Sequence, residues 1–436
     1  MRGSVPSQHD GSGRAGPEPV ERAGPFEEAG PFRPLEHVGR LQAVGPMDPA
    51  ESTAYVAALS ELGPRLFSSM PRSDQRAKGM HYLRGLLEAE GRKSIRNIAT
   101  LFGGDATEQS LHHFITSSTW DWVPVRRALA QYVERVAPPQ AYVVHPLVIP
   151  RAGATSVGVE RRYVPALGQV VNSQQAVGVW AAAPYWSTPL NWRLQLPRRW
   201  LADQRTRRQA AIPEAEVAES LGQCSVTACL ELIRKYRLPV RPVVMDARET
   251  DVTTAIGRLR DADTPMLLRI DGALRLIVEE PAFPRRGVGM TAQQIMSTVW
   301  HMRRPGLRTG PRTLSPDPVG AVGGVVTVAA TPAADAGRPA DRNDMLLIGV
   351  AERGQWPAQL WLTDLTALSP GELLRLTRLT LRVERDQAEI GGEVGFRDFS
   401  GRLFTGWHRH ITLASAAHTV RVQHGLAGSL LPAGSG

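Results

Sequence analysis

The spacing of apolar residues changes twice along the chain. From Asp48 to about Pro138 they follow a helical period, from Ala141 to Ile270 they form short runs and alternating stretches, and after Pro370 helical spacing returns. Residues 1–46 are rich in Gly, Pro, Glu and Arg and lack any apolar period, which is typical of a disordered leader. The pattern therefore predicts a helical part, a mixed part and further helices.

The mixed part begins with strands that are expected to pair in antiparallel fashion. Tyr142–Pro150 is an apolar strand interrupted by His145 and Pro146. Ser156–Tyr163 and Gln169–Trp180 alternate on either side of a turn and predict a hairpin, and Leu190–Leu196 follows as an edge strand.

A buried strand that ends on a carboxylate follows the hairpin. The apolar run Arg241–Asp246 lies between two amphipathic helices, Val226–Tyr236 and Asp251–Leu259, and the strand Met266–Ile270 comes next. Ligands and catalytic groups of open α/β sheets lie at the carboxyl ends of such strands. Asp246 is therefore the first candidate site residue.

Three antiparallel strands, a helix, a strand, a helix and a strand form the element order of the RNase H-like fold. We expect an α/β protein with such a core, a β-rich insertion, and an all-α DNA-binding domain at the N-terminus. The predicted limits are a leader at 1–46, the helical domain at 47–138, the core at 139–270 and 371–425, the insertion at 271–370, and a flexible tail at 426–436.

Two short helices in the N-terminal part have the form of a helix-turn-helix. Ser94–Ala99 and Gln109–Phe114 flank Phe102-Gly103-Gly104, and three basic residues lie close by: Arg92, Lys93 and Arg96. A plain helical bundle with a solvated basic face would give the same pattern. Both interpretations remain open from these residues alone.

The charge balance favours an anionic partner. The 436-residue chain carries a formal net charge of +9, and nearly all of its basic residues are arginine, which makes bidentate phosphate contacts. No apolar run of about eighteen residues and no signal peptide are found, so we expect a cytoplasmic, nucleoid-associated protein without membrane contact. Cys224 and Cys229 are the only cysteines and are too few for a zinc site, so we expect both to be small buried residues.

An ordered set of motifs resembles the DDE-type insertion-sequence transposases, specifically the cut-and-paste group with a β-rich insertion in its RNase H-like domain. The motifs are Arg72-Ser73-Asp74-Gln75-Arg76, Tyr82-Leu83-Arg84-Gly85, Gly91-Arg92-Lys93-Ser94, Leu111-His112-His113-Phe114, Trp120-Asp121-Trp122, Ser156-Val157-Gly158-Val159, Leu362-Thr363-Asp364-Leu365, and Gly401-Arg402 with Gly406-Trp407-His408-Arg409-His410. Together they span most of the chain after residue 60.

The resemblance implies an Asp–Asp–Glu triad that holds two Mg²⁺ ions for DNA cleavage and strand transfer. It places the middle acid at Asp246 and the last at Glu384. The first acid is expected where this chain has His145 and Pro146, neither of which offers a carboxylate. The imidazole of His145 could ligate a metal, but it would bring no negative charge. Glu160 on the neighbouring strand is a conceivable substitute for the missing acid.

The resemblance also implies double-stranded DNA as the partner, and it leaves a homodimer open. Basic pairs that match the family's basic positions are the candidate phosphate contacts: Arg161, Arg162, Arg198, Arg199, Arg303, Arg304 and Arg308. The leading hypothesis is a domesticated DNA-binding or regulatory protein with impaired catalysis, with Mg²⁺ as cofactor only where activity survives. An active transposase with a rearranged site and a non-functional folded relic are the alternatives.

Overall fold

The structure is a computed structural model that describes residues 49–278, 283–302, 324–332, 345–351 and 357–430. The predicted leader at 1–46 lies outside these residues. The described residues all belong to one compact unit.

Five helices open the described chain. Ser94 and Asp121 begin the third and the fifth, because their side chains accept hydrogen bonds from the backbone N–H groups of Asn97 and Val123. Gly103 and Gly104 have positive φ angles, 111° and 79°, which permit the turn between the third and fourth helices. The helices are α1 (Pro49–Leu66), α2 (Ser73–Glu88), α3 (Ile95–Thr100), α4 (Asp105–Thr116) and α5 (Trp122–Val136).

The mixed part then follows the predicted order of elements. Its elements are β1 (Ala141–Pro150), β2 (Glu160–Val164), β3 (Gln169–Ala183), β4 (Trp186–Leu194), α6 (Arg198–Ala202), α7 (Gln204–Gln209), α8 (Leu221–Arg234), β5 (Val243–Asp246), α9 (Val252–Arg260) and β6 (Met266–Ile270). The hairpin of β2 and β3 is present, and Gly168 with φ of 63° lies in its turn. The predicted edge strand is β4, which pairs with β3.

The remaining elements belong to the predicted insertion and the final helices. They are β7 (Arg275–Ile277), β8 (Met290–Thr291), α10 (Ala292–Met302), β9 (Gly324–Ala329), β10 (Thr331–Pro332), β11 (Leu346–Ala351), β12 (Gln359–Thr363), α11 (Pro370–Ala388), α12 (Ile390–Glu393) and α13 (Phe404–Leu430). Helix α13 continues into the segment that the sequence assigns to a flexible tail. The predicted domain limits remain a prediction.

The main sheet is mixed, so the α/β class is confirmed. Strand β3 pairs antiparallel with both β1 and β4, while β1, β5 and β6 pair in parallel. Part of the insertion continues the same sheet, since β12, β11 and β9 follow β6 in antiparallel order. Strands β10, β7 and β8 form a separate small sheet.

Helix α13 packs at the centre of the described chain. It contacts β4 and the N-terminal helices α1, α2, α4 and α5. Trp407, Ile411 and Val420 are among its buried side chains. The N-terminal helices therefore pack against the C-terminal helix. Their role as a DNA-binding domain remains a prediction.

Candidate functional site

Asp246 ends strand β5 at the carboxyl edge of the sheet, as the sequence predicts. Its side chain is 39% exposed. The Nε and Nη2 atoms of Arg248 donate hydrogen bonds to the carboxylate at 2.9 and 2.6 Å, and the backbone N–H of Arg248 donates another at 3.1 Å. The Asp246 carboxylate is thus already bound by a neighbouring guanidinium group.

A second arginine approaches Asp246 from the next strand. The register of β5 and β6 pairs Asp246 with Arg269, whose Nη1 lies 3.7 Å from Oδ2 of Asp246. Partial burial raises the pKa of Asp246, but the hydrogen bonds from Arg248 and the charges of Arg248 and Arg269 outweigh it and lower the pKa below its usual range. The carboxylate is ionised, and the charges that stabilise it are arginines.

On the other side of β5, strand β1 brings His145 next to Asp246. The parallel register pairs Val144 with Met245, so His145 follows at the level of Asp246. Burial lowers the pKa of His145 to about 4, against a smaller opposing effect of the Asp246 charge. His145 is therefore neutral at pH 7 and contributes no negative charge to the edge of the sheet.

Pro146 follows the last β1 residues that pair with β5, where a missing backbone N–H is tolerated. Its carbonyl oxygen accepts a hydrogen bond from Nε2 of Gln387 at 3.0 Å. At the level of Asp246, β1 therefore carries an imidazole, followed by a proline.

Helix α11 carries the predicted last acid. Glu384 is exposed and makes no hydrogen bond or ion pair with another described residue. The buried acid of this segment is Asp386, which accepts hydrogen bonds from the N–H and Oγ of Ser187 and pairs with Arg382 at 2.6 Å. Gln387 of α11, whose amide hydrogen-bonds the carbonyl of Pro146 on β1, is a neutral side chain.

The residues around Asp246 do not fit a two-metal centre. Two divalent ions held close together repel each other unless several carboxylates bind them. Glu160, the substitute acid considered above, pairs instead with Arg162 at 2.7 Å. Within the described ranges, no three His, Cys, Asp or Glu side chains form a group that could hold a metal ion.

The basic residues near the predicted helix-turn-helix differ in exposure. Lys93 is buried, its Nζ donates to the carbonyl of Ala89, and burial lowers its pKa. A buried ammonium group does not favour a phosphate contact, so DNA binding by Lys93 stays a prediction that its burial does not support. Arg92 is exposed but approaches Asp398 at 3.7 Å, whereas Arg96 is exposed without an ionic partner among the described residues.

The basic pairs of the mixed part also differ in exposure and in their partners. Arg161 and Arg198 are exposed and have no ion pair with a described residue. Arg162 is occupied by Glu160 and the side chains of Gln175 and Gln195. Arg199 donates to the backbone carbonyl of Val159, which is a neutral partner. Arg303, Arg304 and Arg308 lie outside the described residues.

Three further arginines were missed at the sequence level. Arg205, Arg207 and Arg208 lie on α7, directly after the Arg198-Arg199 pair. The signal was the run Gln204-Arg205-Thr206-Arg207-Arg208, which has too little apolar content to look like part of a core.

The motif at the start of α13 is structural. Nδ1 of His410 and the hydroxyl of Tyr82 share a hydrogen bond of 2.8 Å. Nε2 of His410 donates to the carbonyl of Gly395, also at 2.8 Å. Arg409 donates to the carbonyls of Ile115 and Trp120. These residues join α13 to the N-terminal helices through hydrogen bonds between buried groups. Cys224 and Cys229 are also buried, and burial raises the pKa of each thiol to about 12.

Comparison with known families agrees with the fold. Residues 65–289, slightly more than half of the chain, match the family described as DDE superfamily endonuclease. The chain belongs to this family. The match includes His145, Pro146 and Asp246 and ends before Glu384. No curated protein matches the chain.

Among the described residues no helix is long and apolar enough to cross a membrane.

Proposed function

We propose that this chain is a transposase-like DNA-binding protein in which metal-dependent DNA cleavage is lost or strongly impaired. The order β4-β3-β1-β5-β6 supports an RNase H-like core, and the family acts on DNA. The observation that carries the proposal is the environment of Asp246. Arg248 and Arg269 stabilise its carboxylate, and His145 and Pro146 stand where the resemblance implies another acid.

The electrostatic argument concerns the sign of the charge next to Asp246. In a two-metal site, cations bind a group of carboxylates and stabilise the attacking and leaving oxygens. Here Arg248 already compensates Asp246, so a divalent ion would have to displace a guanidinium that makes several hydrogen bonds. The ion would then meet one carboxylate and a neutral imidazole, which is a poor ligand set for Mg²⁺.

The role that remains is binding. A DNA-bound protein without cleavage activity would regulate or organise the DNA that it occupies, and nucleoid association would follow from that binding. A homodimer would place two DNA-binding surfaces on one duplex. Sedimentation of the protein with and without DNA would test whether it dimerises.

Cleavage of supercoiled plasmid DNA with Mg²⁺ or Mn²⁺ tests the proposed loss of activity. We expect no nicking by the wild-type protein. Metal-dependent nicking that disappears in Asp246→Ala would show that catalysis survives and would contradict the proposal.

A gain-of-function variant tests the cause of the loss. His145→Asp and Pro146→Asp together with Arg248→Gln restore acids and remove the competing guanidinium. The matched control carries His145→Asn, Pro146→Asn and Arg248→Gln, which changes shape similarly without adding carboxylates. Nicking by the first variant alone would show that the missing acids are the cause.

Fluorescence anisotropy with duplex DNA across a salt series tests binding itself. Several phosphate contacts give a steep linear decrease of log K with log salt concentration. A flat response would contradict DNA binding and with it the proposed function.

A further inference from the structure

The short helices α6 and α7 concentrate positive charge on one part of the surface. Residues 198–209 contain five arginines, and Asp203 is their only acid. Arg198, Arg199, Arg205 and Arg208 are exposed, and Arg207 is partly exposed. We call Arg198, Arg199, Arg205, Arg207 and Arg208 the α6–α7 arginine surface.

The one acid in this segment is already engaged. Asp203 begins α7, and its carboxylate accepts hydrogen bonds from the backbone N–H groups of Arg205 and Thr206 at 3.2 and 3.0 Å. The hydrogen bond from the Thr206 hydroxyl contributes most to lowering the pKa of Asp203, the two backbone bonds add to it, and the charge of Arg205 contributes least. The carboxylate is held at the start of the helix and does not form an ion pair with an arginine side chain of the described residues.

The arginines that do have partners bind neutral groups. Arg199 donates to the carbonyl of Val159, and Arg207 donates to the carbonyls of Pro213 and Glu216 at 2.6 and 2.9 Å. A carbonyl orients a guanidinium without cancelling its charge. The nearby carboxylate of Glu216 pairs with Arg193 at 3.1 Å, so it is not free to neutralise this surface.

The fold places the α6–α7 arginine surface at the same edge of the sheet as Asp246. Strands β1 and β4 are both antiparallel to β3, so they run in the same direction, and β5 is parallel to β1. Helix α6 follows the carboxyl end of β4 directly. Three strand spacings separate β4 from β5, roughly 14 Å in the plane of the sheet.

From this placement we infer that the phosphate backbone of duplex DNA binds along the α6–α7 arginine surface. The inference rests on the proposed function, and it adds a specific contact surface to it. Arginine suits the task because its planar guanidinium binds phosphate oxygens in pairs and is always charged. Exposed Arg198, Arg205 and Arg208 are the direct contacts, while Arg199 and Arg207 are fixed in place by their carbonyl partners.

A triple variant, Arg198→Gln, Arg205→Gln and Arg208→Gln, tests the inference by anisotropy with a fluorescent duplex. One phosphate contact per arginine predicts a salt slope smaller in magnitude by about 2.7 than that of the wild type. The matched control is Arg127→Gln, Arg234→Gln and Arg375→Gln, which removes the same charge from exposed positions on α5, α8 and α11. The control should keep most of the wild-type slope.

The outcomes separate the inference from the function on which it rests. A steep wild-type slope that the triple variant leaves unchanged, or that the control reduces equally, would overturn the α6–α7 surface and leave DNA binding intact. A flat wild-type slope would overturn both. Single-stranded RNA of the same length serves as competitor, and tighter RNA binding through the same arginines would show that duplex DNA is the wrong partner.

Discussion

Two polar regions of this protein differ in what surrounds their charged groups. The first is the α13 core, which consists of Arg126, His408, Arg409, His410 and His418. The second is the Asp246 edge, which consists of His145, Pro146, Asp246, Arg248 and Arg269. Every group of the α13 core is buried, whereas the ion pair of the Asp246 edge is partly exposed.

The difference shows which polar residues the fold depends on. Arg126 donates hydrogen bonds to Asn191, Thr412 and the carbonyl of Trp192, so it links α5, β4 and α13. Removing a buried partner leaves groups without hydrogen bonds, while removing an exposed one lets water replace it. The α13 core should therefore be sensitive to substitution, and the Asp246 edge should tolerate it.

The largest expected effect is that of Arg126→Ala. It removes a buried guanidinium and takes a donor from Thr412 and from the carbonyl of Trp192, while Asn191 keeps the hydrogen bond from the Tyr236 hydroxyl. The cavity and the polar groups left without a donor should lower the free energy of unfolding by about 3–5 kcal/mol, measured by urea denaturation. Arg127→Ala, at the exposed neighbouring position, should change it by no more than about 0.5 kcal/mol. Equal effects would show that burial of Arg126 does not make the α13 core sensitive to substitution.

The second-largest expected effect is a loss of stability at low pH, caused by histidines of the α13 core. Burial lowers the pKa of His410 and of His418 to about 4, below the unfolded value near 6.5. The unfolded chain therefore binds protons that the folded chain does not, and stability present above pH 6.5 is lost as the pH falls toward 4. Each histidine contributes a loss of about 2 kcal/mol between pH 7 and pH 5.

Urea denaturation of the wild type and His418→Gln at the two pH values measures this effect. His418 packs between Phe396 and Trp180, and Asp386 and Arg382 are the charged groups that act on it. The variant should lose about 2 kcal/mol less than the wild type over the same interval. Identical losses would show that His418 is not neutral in the folded protein.

A third comparison separates buried from exposed basic residues. Lys93→Met keeps a long side chain but leaves the carbonyl of Ala89 without its donor, so we expect a loss of about 1 kcal/mol in stability and little change in DNA affinity. Arg96→Gln, at an exposed position, should leave stability unchanged. A loss of DNA affinity in Lys93→Met, measured by anisotropy on protein shown to be folded, would contradict the assignment.

The smallest expected effect is at the Asp246 edge. Asp246→Asn breaks a partly exposed ion pair and should change the free energy of unfolding by less than about 1 kcal/mol. Added Mg²⁺ should leave the melting temperature of both proteins unchanged, because a ligand stabilises only the state that binds it. Stabilisation by Mg²⁺ that Asp246→Asn removes would show a metal site at this edge.

Much of the architecture could be predicted from local pattern. The run Val243–Asp246 and the alternating hairpin were visible because apolar spacing reports burial. The addition of β12, β11 and β9 to the main sheet could not be predicted, since spacing does not tell which strands are neighbours. For the same reason the register that brings Arg269 beside Asp246 could not be seen in the sequence.

Which single charged residues are buried also could not be predicted from the sequence. Lys93 has the sequence surroundings of an exposed basic residue, yet its backbone N–H donates to Asp398, 305 positions further along the chain. Asp386 and Glu384 are two residues apart on one helix, and only packing against Ser187 distinguishes the buried acid from the exposed one. Such contacts depend on the completed fold.

The central position of α13 has a consequence for how the protein is made. The contact between Tyr82 and His410 joins residues 328 positions apart, and α1, α2, α4 and α5 all pack on this late helix. Helices at the start of the chain leave the ribosome long before their packing partner is translated. The faces of these helices that pack on α13 therefore lack their partner until the last part of the described chain is translated, and non-local contacts of this kind slow folding.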